Sequence, residues 1–185
     1  PYAVRFILKG EVQMVGPEFE IRRPVLVGDT ADVFLQRTQT ILRNESINPT
    51  VTMEFSPTRG GVLCGILEVR NLLTRILPET GIEVWALEEG EAVEAKEVAL
   101  RVKAPYGSLG LYETAICGVL ACSIGWATAA RECVDAAGGS PVVALGARDV
   151  HPNVAANLDY ASVVGGCVSC STILGARLAG VTPAG

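Results

Sequence analysis

Hydrophobic and polar positions alternate in short runs over the first hundred residues of the chain. These runs predict strands at residues 4–8, 24–27, 51–55, 62–67, 82–87 and 98–102. Helical spacing between the strands predicts helices at residues 31–43 and 71–77. Strands mixed with two short helices indicate an α/β sandwich domain over residues 1–110.

The pattern changes after Pro105-Tyr106-Gly107, where apolar residues begin to recur at helical spacing. A long helix is predicted over residues 112–137, followed by a buried strand at 141–147 and a helix at 154–160. A second strand at about 162–168, beginning with Val163-Val164, and a helix at 171–179 complete the chain. Strand–helix–strand–helix order predicts a parallel sheet, or the opening of an α/β barrel, over residues 111–185.

The composition narrows the choice of function. The net charge of −5 and the lack of a basic stripe argue against a nucleic-acid surface. We expect no membrane span, since no uninterrupted apolar run approaches the roughly 20 residues that a bilayer requires. Without an export signal at its start, the chain is expected to be cytoplasmic.

The six cysteines are expected to be structural, reduced thiols in small or apolar surroundings. Cys167 and Cys170 form a lone C-x-x-C pair, which leaves a redox pair or a metal site open as alternatives. No second pair accompanies them, whereas zinc needs about four ligands, and we therefore predict no metal site in the protein itself.

Several candidate functional residues follow the end of the predicted strand at 141–147. The Arg148 guanidinium could hold a carboxylate or phosphate through two parallel hydrogen bonds, or it could pair with Asp149 on a solvated turn. His151 could contact an anion, or it could be a structural hydrogen-bonding residue. Glu113 lies in a first helical turn, where a carboxylate favours the helix dipole in any case. Gly165-Gly166 would permit close approach of a phosphate to the backbone, although no nucleotide-binding motif surrounds them.

Four segments together resemble the nicotinate phosphoribosyltransferases of the type II phosphoribosyltransferase family, especially their archaeal-like branch. The resemblance covers about residues 28–185. The segments are residues 31–38 (ADVFLQRT), 110–116 (GLYETAI), 147–152 (ARDVHP) and Gly165-Gly166.

This resemblance implies an α/β sandwich followed by an incomplete, seven-stranded α/β barrel. It also implies a homo-oligomer, a dimer or higher, with a site shared across the subunit boundary. The reaction would join nicotinate to the ribose 5-phosphate of phosphoribosyl pyrophosphate, giving nicotinate mononucleotide and pyrophosphate. Such enzymes usually use Mg²⁺ and often couple the reaction to ATP hydrolysis.

The resemblance also implies roles for individual residues. Arg148 would hold the pyridine carboxylate, and Phe34 would stack on the pyridine ring, where relatives commonly have Tyr. Further substrate contacts would come from Tyr112, Glu113, Thr114 and His151. Gly165 and Gly166 would contact phosphate.

The chain departs from the family pattern at several positions. Asp149 and Cys167 stand where relatives tend to carry an arginine and an acidic residue. Glu113 replaces an arginine of the related quinolinate enzymes, which favours a substrate with one carboxylate. The family continues with a G-T-x-x-H segment just past Gly185, so the barrel is expected to be incomplete here. A non-catalytic assembly subunit, or an enzyme for another aromatic monocarboxylate, stays open.

Overall fold

A computed structural model describes the backbone of Val4–Phe6 and the whole of residues 16–185. The strands are β1 (Val4–Phe6), β2 (Thr50–Phe55), β3 (Gly61–Val62), β4 (Glu83–Ala86), β5 (Ala92–Val93), β6 (Leu100–Pro105), β7 (Val143–Ala144) and β8 (Ser169–Cys170). The helices are α1 (Arg23–Leu26), α2 (Val33–Asn44), α3 (Ile66–Ile76), α4 (Tyr106–Leu109), α5 (Glu113–Ala136), α6 (Pro152–Val164) and α7 (Ile173–Ala179). Short 3₁₀ segments cover Gly110–Tyr112 and Gly146–Asp149. The protein is therefore mixed α/β, as predicted.

An antiparallel sheet in the order β1–β4–β6–β2 forms the first layer. Arg101 and Lys103 of β6 lie on its exposed face, each opposite a carboxylate of the neighbouring strand. The ion pairs measure 2.6 Å from Arg101 to Glu54 and 2.9 Å from Lys103 to Glu83. The other face of β6 is apolar and buried: Leu100, Val102 and Ala104. The period-2 pattern thus sets which face of the sheet meets the core.

The predicted strand at 62–67 is wrong beyond Val62, because helix α3 begins at Ile66. Gly65 turns the chain with φ +100°, a conformation that favours glycine. The Glu89 carboxylate then accepts hydrogen bonds from the backbone N–H groups of Gly65 (3.0 Å) and Leu67 (3.2 Å). A carboxylate at a helix start satisfies unpaired N–H groups and favours the helix dipole. This cap comes from a distant part of the chain, which a local pattern cannot reveal.

Two further strand predictions at the start of the chain have different outcomes. The run at 24–27 is wrong, since Arg23–Leu26 forms a short helix with Pro24 in its first turn. Proline favours the first positions of a helix, because its fixed φ suits the helix and it lacks an N–H that would be unpaired there. The run at 4–8 is confirmed over Val4–Phe6, and its remainder lies outside the described residues.

Helix α5 joins two hydrophobic cores. Its Ile116 and Leu120 belong to the core between the sheet and α3. Its Ala127 belongs to a second core that includes Tyr160 and Ala161 of α6. The domain boundary predicted near residue 110 therefore falls just before a helix that packs against both parts of the chain.

The second part of the chain has strand–helix–strand order, with β7 and β8 paired in parallel. Val163 and Val164, predicted to begin a strand, instead end helix α6, and the strand comes later at Ser169–Cys170. Helix α6 continues through Val164 because it packs along α5. The parallel pairing is as predicted, and the complete barrel stays a prediction.

The helical stretch Tyr106–Ala136 is long and apolar enough, by length and composition alone, to cross a membrane. Its mean hydropathy reaches 1.4 over 18 residues, and 28% of that window is buried. Many residues of this helix are small and only weakly apolar individually, so it contains no long uninterrupted run of strongly apolar side chains. A single such helix is weak evidence for a membrane span, and Ile116, Leu120 and Ala127 of this helix lie in the two protein cores.

Candidate active site

The start of α2 is fastened to the start of α5 by a reciprocal pair of hydrogen bonds. The Thr114 hydroxyl donates to Asp32 Oδ2 at 2.9 Å, and the Asp32 N–H donates to Thr114 Oγ1 at 3.2 Å. Gln39 of α2 adds a bond from its Nε2 to the Gly107 carbonyl at 2.8 Å. The matching segments 31–38 and 110–116 are therefore adjacent in space.

Tyr112 and Phe34 lie at this same junction. The Tyr112 hydroxyl donates to the Leu26 carbonyl at 2.8 Å, and burial raises the pKa of Tyr112. Tyr112 therefore has a structural partner already. Phe34, in the first turn of α2, is 58% exposed, and Val33 and Ile41 of the same helix are similarly exposed. The Phe34 ring is free to stack on a ligand or on another protein surface.

Glu113 begins α5 and points to a broad groove beside strand β2. The Cys117 thiol donates to Glu113 Oε1 at 3.5 Å. Burial and the neighbouring Glu113 carboxylate together raise the pKa of Cys117 to about 11. The groove has a volume of about 850 Å³ and also contains Glu54, Arg59 and Glu132. A ligand carboxylate placed beside Glu113 in this groove would be repelled by the negative charge of that side chain.

Arg148 lies in the 3₁₀ turn that follows β7 and is exposed. It makes no hydrogen bond or ion pair with any described residue, and neither does the side chain of Asp149. The alternative in which Arg148 pairs with Asp149 is therefore not the arrangement found. A guanidinium without a partner among the described residues, at the carboxyl end of a parallel strand, is available to a planar anion.

His151 is the N-cap of α6. Its Nδ1 accepts a hydrogen bond from the Asn153 N–H at 3.2 Å, and Pro152 occupies the first turn. In the neutral ring the proton then resides on Nε2, which is the nitrogen left to donate to a ligand. The structural role foreseen for this histidine is thus present, and a ligand contact through Nε2 stays a prediction.

Gly165 and Gly166 lie at the end of α6 instead of following a strand. A Cβ on Gly165 would overlap the Ala127 carbonyl oxygen and press on Ala130 at 2.8 Å, so glycine is needed for α6 to pack on α5. Gly166 has φ +114°, which again favours glycine. Close packing accounts for Gly165 and the positive φ accounts for Gly166, and their phosphate-binding role stays a prediction without a supporting contact.

A cavity of about 410 Å³ lies between the candidate residues beside α2 and those at the start of α6. Thr114 lines one wall, and Asn153 and Val154, just after His151, line another. Phe34 and Arg148 line neither this cavity nor the groove at Glu113. The structure therefore places Tyr112, Glu113 and Thr114 beside α2, and Arg148 with His151 at the start of α6, with no hydrogen bond between the groups among the described residues.

The cysteine alternatives find little support in the geometry. All six cysteines are free, and Cys167 and Cys170 are buried. Burial raises the pKa of both thiols, to about 11 for Cys170, which disfavours the reactive thiolate. Residues 16–185 contain no group of three or more His, Cys, Asp or Glu side chains placed to hold a metal ion.

Three acidic residues near the helices were missed by sequence reasoning. Glu89 caps α3, and Glu68 accepts a hydrogen bond from Asn157 Nδ2 at 2.7 Å. Asp159 is completely buried in α6. Asp159 interrupts an apolar helical run, a local signal that could have marked it, whereas the partner of Glu89 is visible only in the fold.

Residues 32–123 match the family described as quinolinate phosphoribosyl transferase, N-terminal domain. The matched segment contains the α2–α5 junction with Phe34, Glu113 and Thr114, whereas Arg148 and His151 lie beyond it.

Several solved structures are similar to this chain. A nicotinate-nucleotide pyrophosphorylase from Pyrococcus furiosus is 34% identical with a TM-score of 0.81, over 90% of this chain and 43% of that one. Human nicotinic acid phosphoribosyltransferase shares the fold, at 20% identity and a TM-score of 0.72, over 83% of this chain and 38% of that one. The enzyme from Ehrlichia chaffeensis, a nicotinate-nucleotide pyrophosphorylase, also shares the fold (20% identity, TM-score 0.60, 80% and 54% coverage). The chain thus spans about half the length of these relatives or less.

Proposed function

We propose that this protein transfers the phosphoribosyl group from phosphoribosyl pyrophosphate to nicotinate, giving nicotinate mononucleotide and pyrophosphate. The main observation in support is that Arg148 is exposed at the carboxyl end of β7 and has no partner among the described residues. The similarity to the Pyrococcus furiosus pyrophosphorylase over 90% of this chain supports the reaction class. Arg148 would hold the nicotinate carboxylate through two parallel hydrogen bonds and so orient the ring nitrogen.

The choice of nicotinate over quinolinate rests on Glu113. Quinolinate carries a second carboxylate, and a site that accepts it needs added positive charge. The helix start that bears Glu113 presents a carboxylate, held near the Cys117 thiol, at the place where the related quinolinate enzymes have an arginine. Because like charges repel, Glu113 would weaken the binding of quinolinate, which carries the second carboxylate, but not the binding of nicotinate.

The complete site is proposed to form between two copies of the protein. Phe34 belongs to the α2–α5 junction, and neither cavity brings it to Arg148 of the same chain. Apolar side chains of α2, namely Val33, Phe34 and Ile41, are each more than half exposed. Burial of such a patch against a partner is favourable, and it would place Phe34 over the pyridine ring held by the partner's Arg148.

The chemistry would rely on positioning and charge. Pyrophosphate leaves with oxocarbenium character at the ribose carbon, and the nicotinate nitrogen attacks that carbon. His151 would contact an anion through Nε2 and would not be needed as a base. Mg²⁺ in such sites binds through one or two carboxylates and the substrate phosphates. Asp149 is exposed beside Arg148 and has no partner among the described residues, so it would be the carboxylate that binds Mg²⁺ at this edge. Coupling to ATP hydrolysis is also part of the proposal.

Binding of three related ligands tests the proposal in the full-length protein. Isothermal titration should show that nicotinate binds more tightly than quinolinate or nicotinamide. Arg148→Ala should weaken nicotinate binding by about 2–4 kcal/mol, because the substrate charge loses its partner. Arg177→Ala, which removes an exposed arginine of α7, is the matched control and should leave the affinity unchanged. Equal binding of nicotinate and nicotinamide would contradict the role of Arg148.

A further inference from the structure

Asp159 is a completely buried carboxylate in the middle of α6. Its Oδ2 accepts a hydrogen bond from the backbone N–H of Thr172 at 2.9 Å. The Cys170 thiol lies near the same carboxylate, and its pKa is raised, first by burial and then by the Asp159 charge. Asp159 Oδ1 is buried without a partner among the described residues. Burial of a carboxylate destabilises the folded state unless its oxygens are hydrogen-bonded. A buried carboxylate with one unbonded oxygen therefore suggests a role beyond packing.

The carboxylate holds the turn that leads from β8 into α7. Thr172 caps α7 through a hydrogen bond from the Gly175 N–H to its Oγ1 at 3.1 Å. A Cβ at Gly175 would overlap the Cβ of Asp159, so only glycine lets the first turn of α7 approach this closely. Asp159 thus fixes both the backbone of the turn and the helix that follows it.

This turn and the turn that carries Arg148 follow the two strands of one parallel pair. Strands β7 and β8 are parallel, with Val143 opposite Ser169 and Ala144 opposite Cys170. The residues after each strand therefore emerge at the same edge, which places Ser171-Thr172 next to the segment Gly146–Asp149. The position of one turn consequently limits the space available at the other.

We propose that Asp159 is a positioning residue that holds the turn at Ser171-Thr172 as a rigid wall beside the nicotinate subsite at Arg148. This inference rests on the proposed function. Asp159 does not touch the substrate but acts through the Thr172 backbone. Small displacements of a binding wall reduce the affinity or rate strongly, whereas the rest of the fold is maintained by other contacts.

Three variants of the full-length protein test this role: Asp159→Ala, Asp159→Asn and Ser162→Ala. The alanine removes the acceptor for the Thr172 N–H. The asparagine retains a carbonyl oxygen in the same place and should restore it. Ser162 lies in the same helix and is also buried, but within residues 16–185 its hydroxyl bonds only the Leu158 carbonyl, at 2.9 Å. Nicotinate affinity is measured by titration at a temperature where circular dichroism shows each variant folded, and Thr172 amide exchange is followed by NMR.

The positioning role predicts that Asp159→Ala weakens nicotinate binding roughly 10- to 100-fold and accelerates exchange of the Thr172 amide. Asp159→Asn should stay within about threefold of the wild type in affinity, and Ser162→Ala should match the wild type. Unchanged nicotinate affinity in folded Asp159→Ala, or unchanged Thr172 exchange, overturns the inference. Should Asp159→Ala not fold, Gly175→Ala perturbs the same contact and must weaken nicotinate binding similarly. A wild type that binds no nicotinate refutes the proposed function, whereas the exchange measurement still decides whether Asp159 holds the turn.

Discussion

The Thr114 hydroxyl donates a hydrogen bond to Asp32 Oδ2 over 2.9 Å and accepts one from the Asp32 N–H over 3.2 Å. This pair joins residues 82 positions apart and fixes the start of α2, which carries Phe34, to the start of α5, which carries Glu113. Two of the segments that resemble nicotinate phosphoribosyltransferases thereby form one structural unit. The orientation of Phe34 depends on that unit.

Replacement of Thr114 by valine should loosen the attachment of α2. The change removes both hydrogen bonds at similar volume, and we expect the free energy of unfolding to fall by about 1 kcal/mol, the usual value for such partly exposed bonds. Urea denaturation measures it. Thr38→Val is the matched control, because the Thr38 hydroxyl bonds only the Phe34 carbonyl within α2. Equal losses in the two variants would show that the link between α2 and α5 contributes nothing.

Reversal of the charge at Glu113 should change the preference between mono- and dicarboxylates. With Glu113→Arg, we expect quinolinate to bind roughly tenfold or more tightly than it binds the wild type, since a repulsive contact becomes attractive. Titration of quinolinate and nicotinate gives the two affinities. Glu132→Arg makes the same charge change in the same groove, near the far end of α5, and should have little effect. A gain of quinolinate affinity in both variants would point to long-range charge instead of a local contact.

Glu68 should make stability depend on pH in a defined direction. Burial raises its pKa above the ordinary value of 4.5, partly opposed by the hydrogen bond from Asn157, and the nearby Glu89 raises it further. The folded state then binds the Glu68 proton more tightly than the unfolded state, so this group lowers stability as the pH rises above 4.5. Glu68→Gln removes the charge and keeps an acceptor for Asn157.

The wild type should therefore lose stability relative to Glu68→Gln as the pH is raised from about 4 to 7. Urea denaturation at several pH values measures the difference, with Glu132→Gln, an exposed carboxylate, as control. A difference that does not change with pH would show that Glu68 titrates normally in the folded protein.

Thiol reactivity should separate the six cysteines by burial. Cys122 and Cys133 are exposed and should react first with a disulfide reagent at pH 8. Cys117, whose pKa is raised to about 11, should react slowly at pH 8 and faster as the pH approaches that value. The buried Cys64, Cys167 and Cys170 should react only on unfolding. Fewer than six thiols in the unfolded protein, without reductant, would reveal a disulfide and reopen a redox role for Cys167 and Cys170.

Local sequence patterns predicted those elements whose cause is local. The alternation that ends in β6 and the helical spacing of α5 arise from which side chains must be buried, and both predictions were confirmed. The start of α3 could not be foreseen, because its cap is the Glu89 carboxylate from the turn before β5. Val163-Val164 has the β-branched composition of a strand, yet tertiary packing on α5 keeps it helical.

The residues of the candidate site were likewise predictable from the sequence only where the signal is local. The motif segments marked Phe34, Glu113, Thr114 and Arg148, and the structure shows where each lies. Asp159 escaped notice because its importance comes from the Thr172 N–H and from Gly175, which meet it only in the folded chain. Gly165 and Gly166 were predicted as ligand-binding glycines, whereas in the fold a close helix contact requires Gly165 and a positive φ favours glycine at position 166.

The proposed function is transfer of the phosphoribosyl group to a pyridine monocarboxylate that Arg148 recognises. The most direct measurement incubates the full-length protein with phosphoribosyl pyrophosphate, Mg²⁺ and either nicotinate or quinolinate, and follows nicotinate mononucleotide and pyrophosphate by chromatography. The account predicts product from nicotinate, little from quinolinate, and a loss of roughly 30-fold or more in kcat/KM for Arg148→Ala, with Arg177→Ala active. Faster product formation from quinolinate than from nicotinate, or full activity of Arg148→Ala, would contradict it.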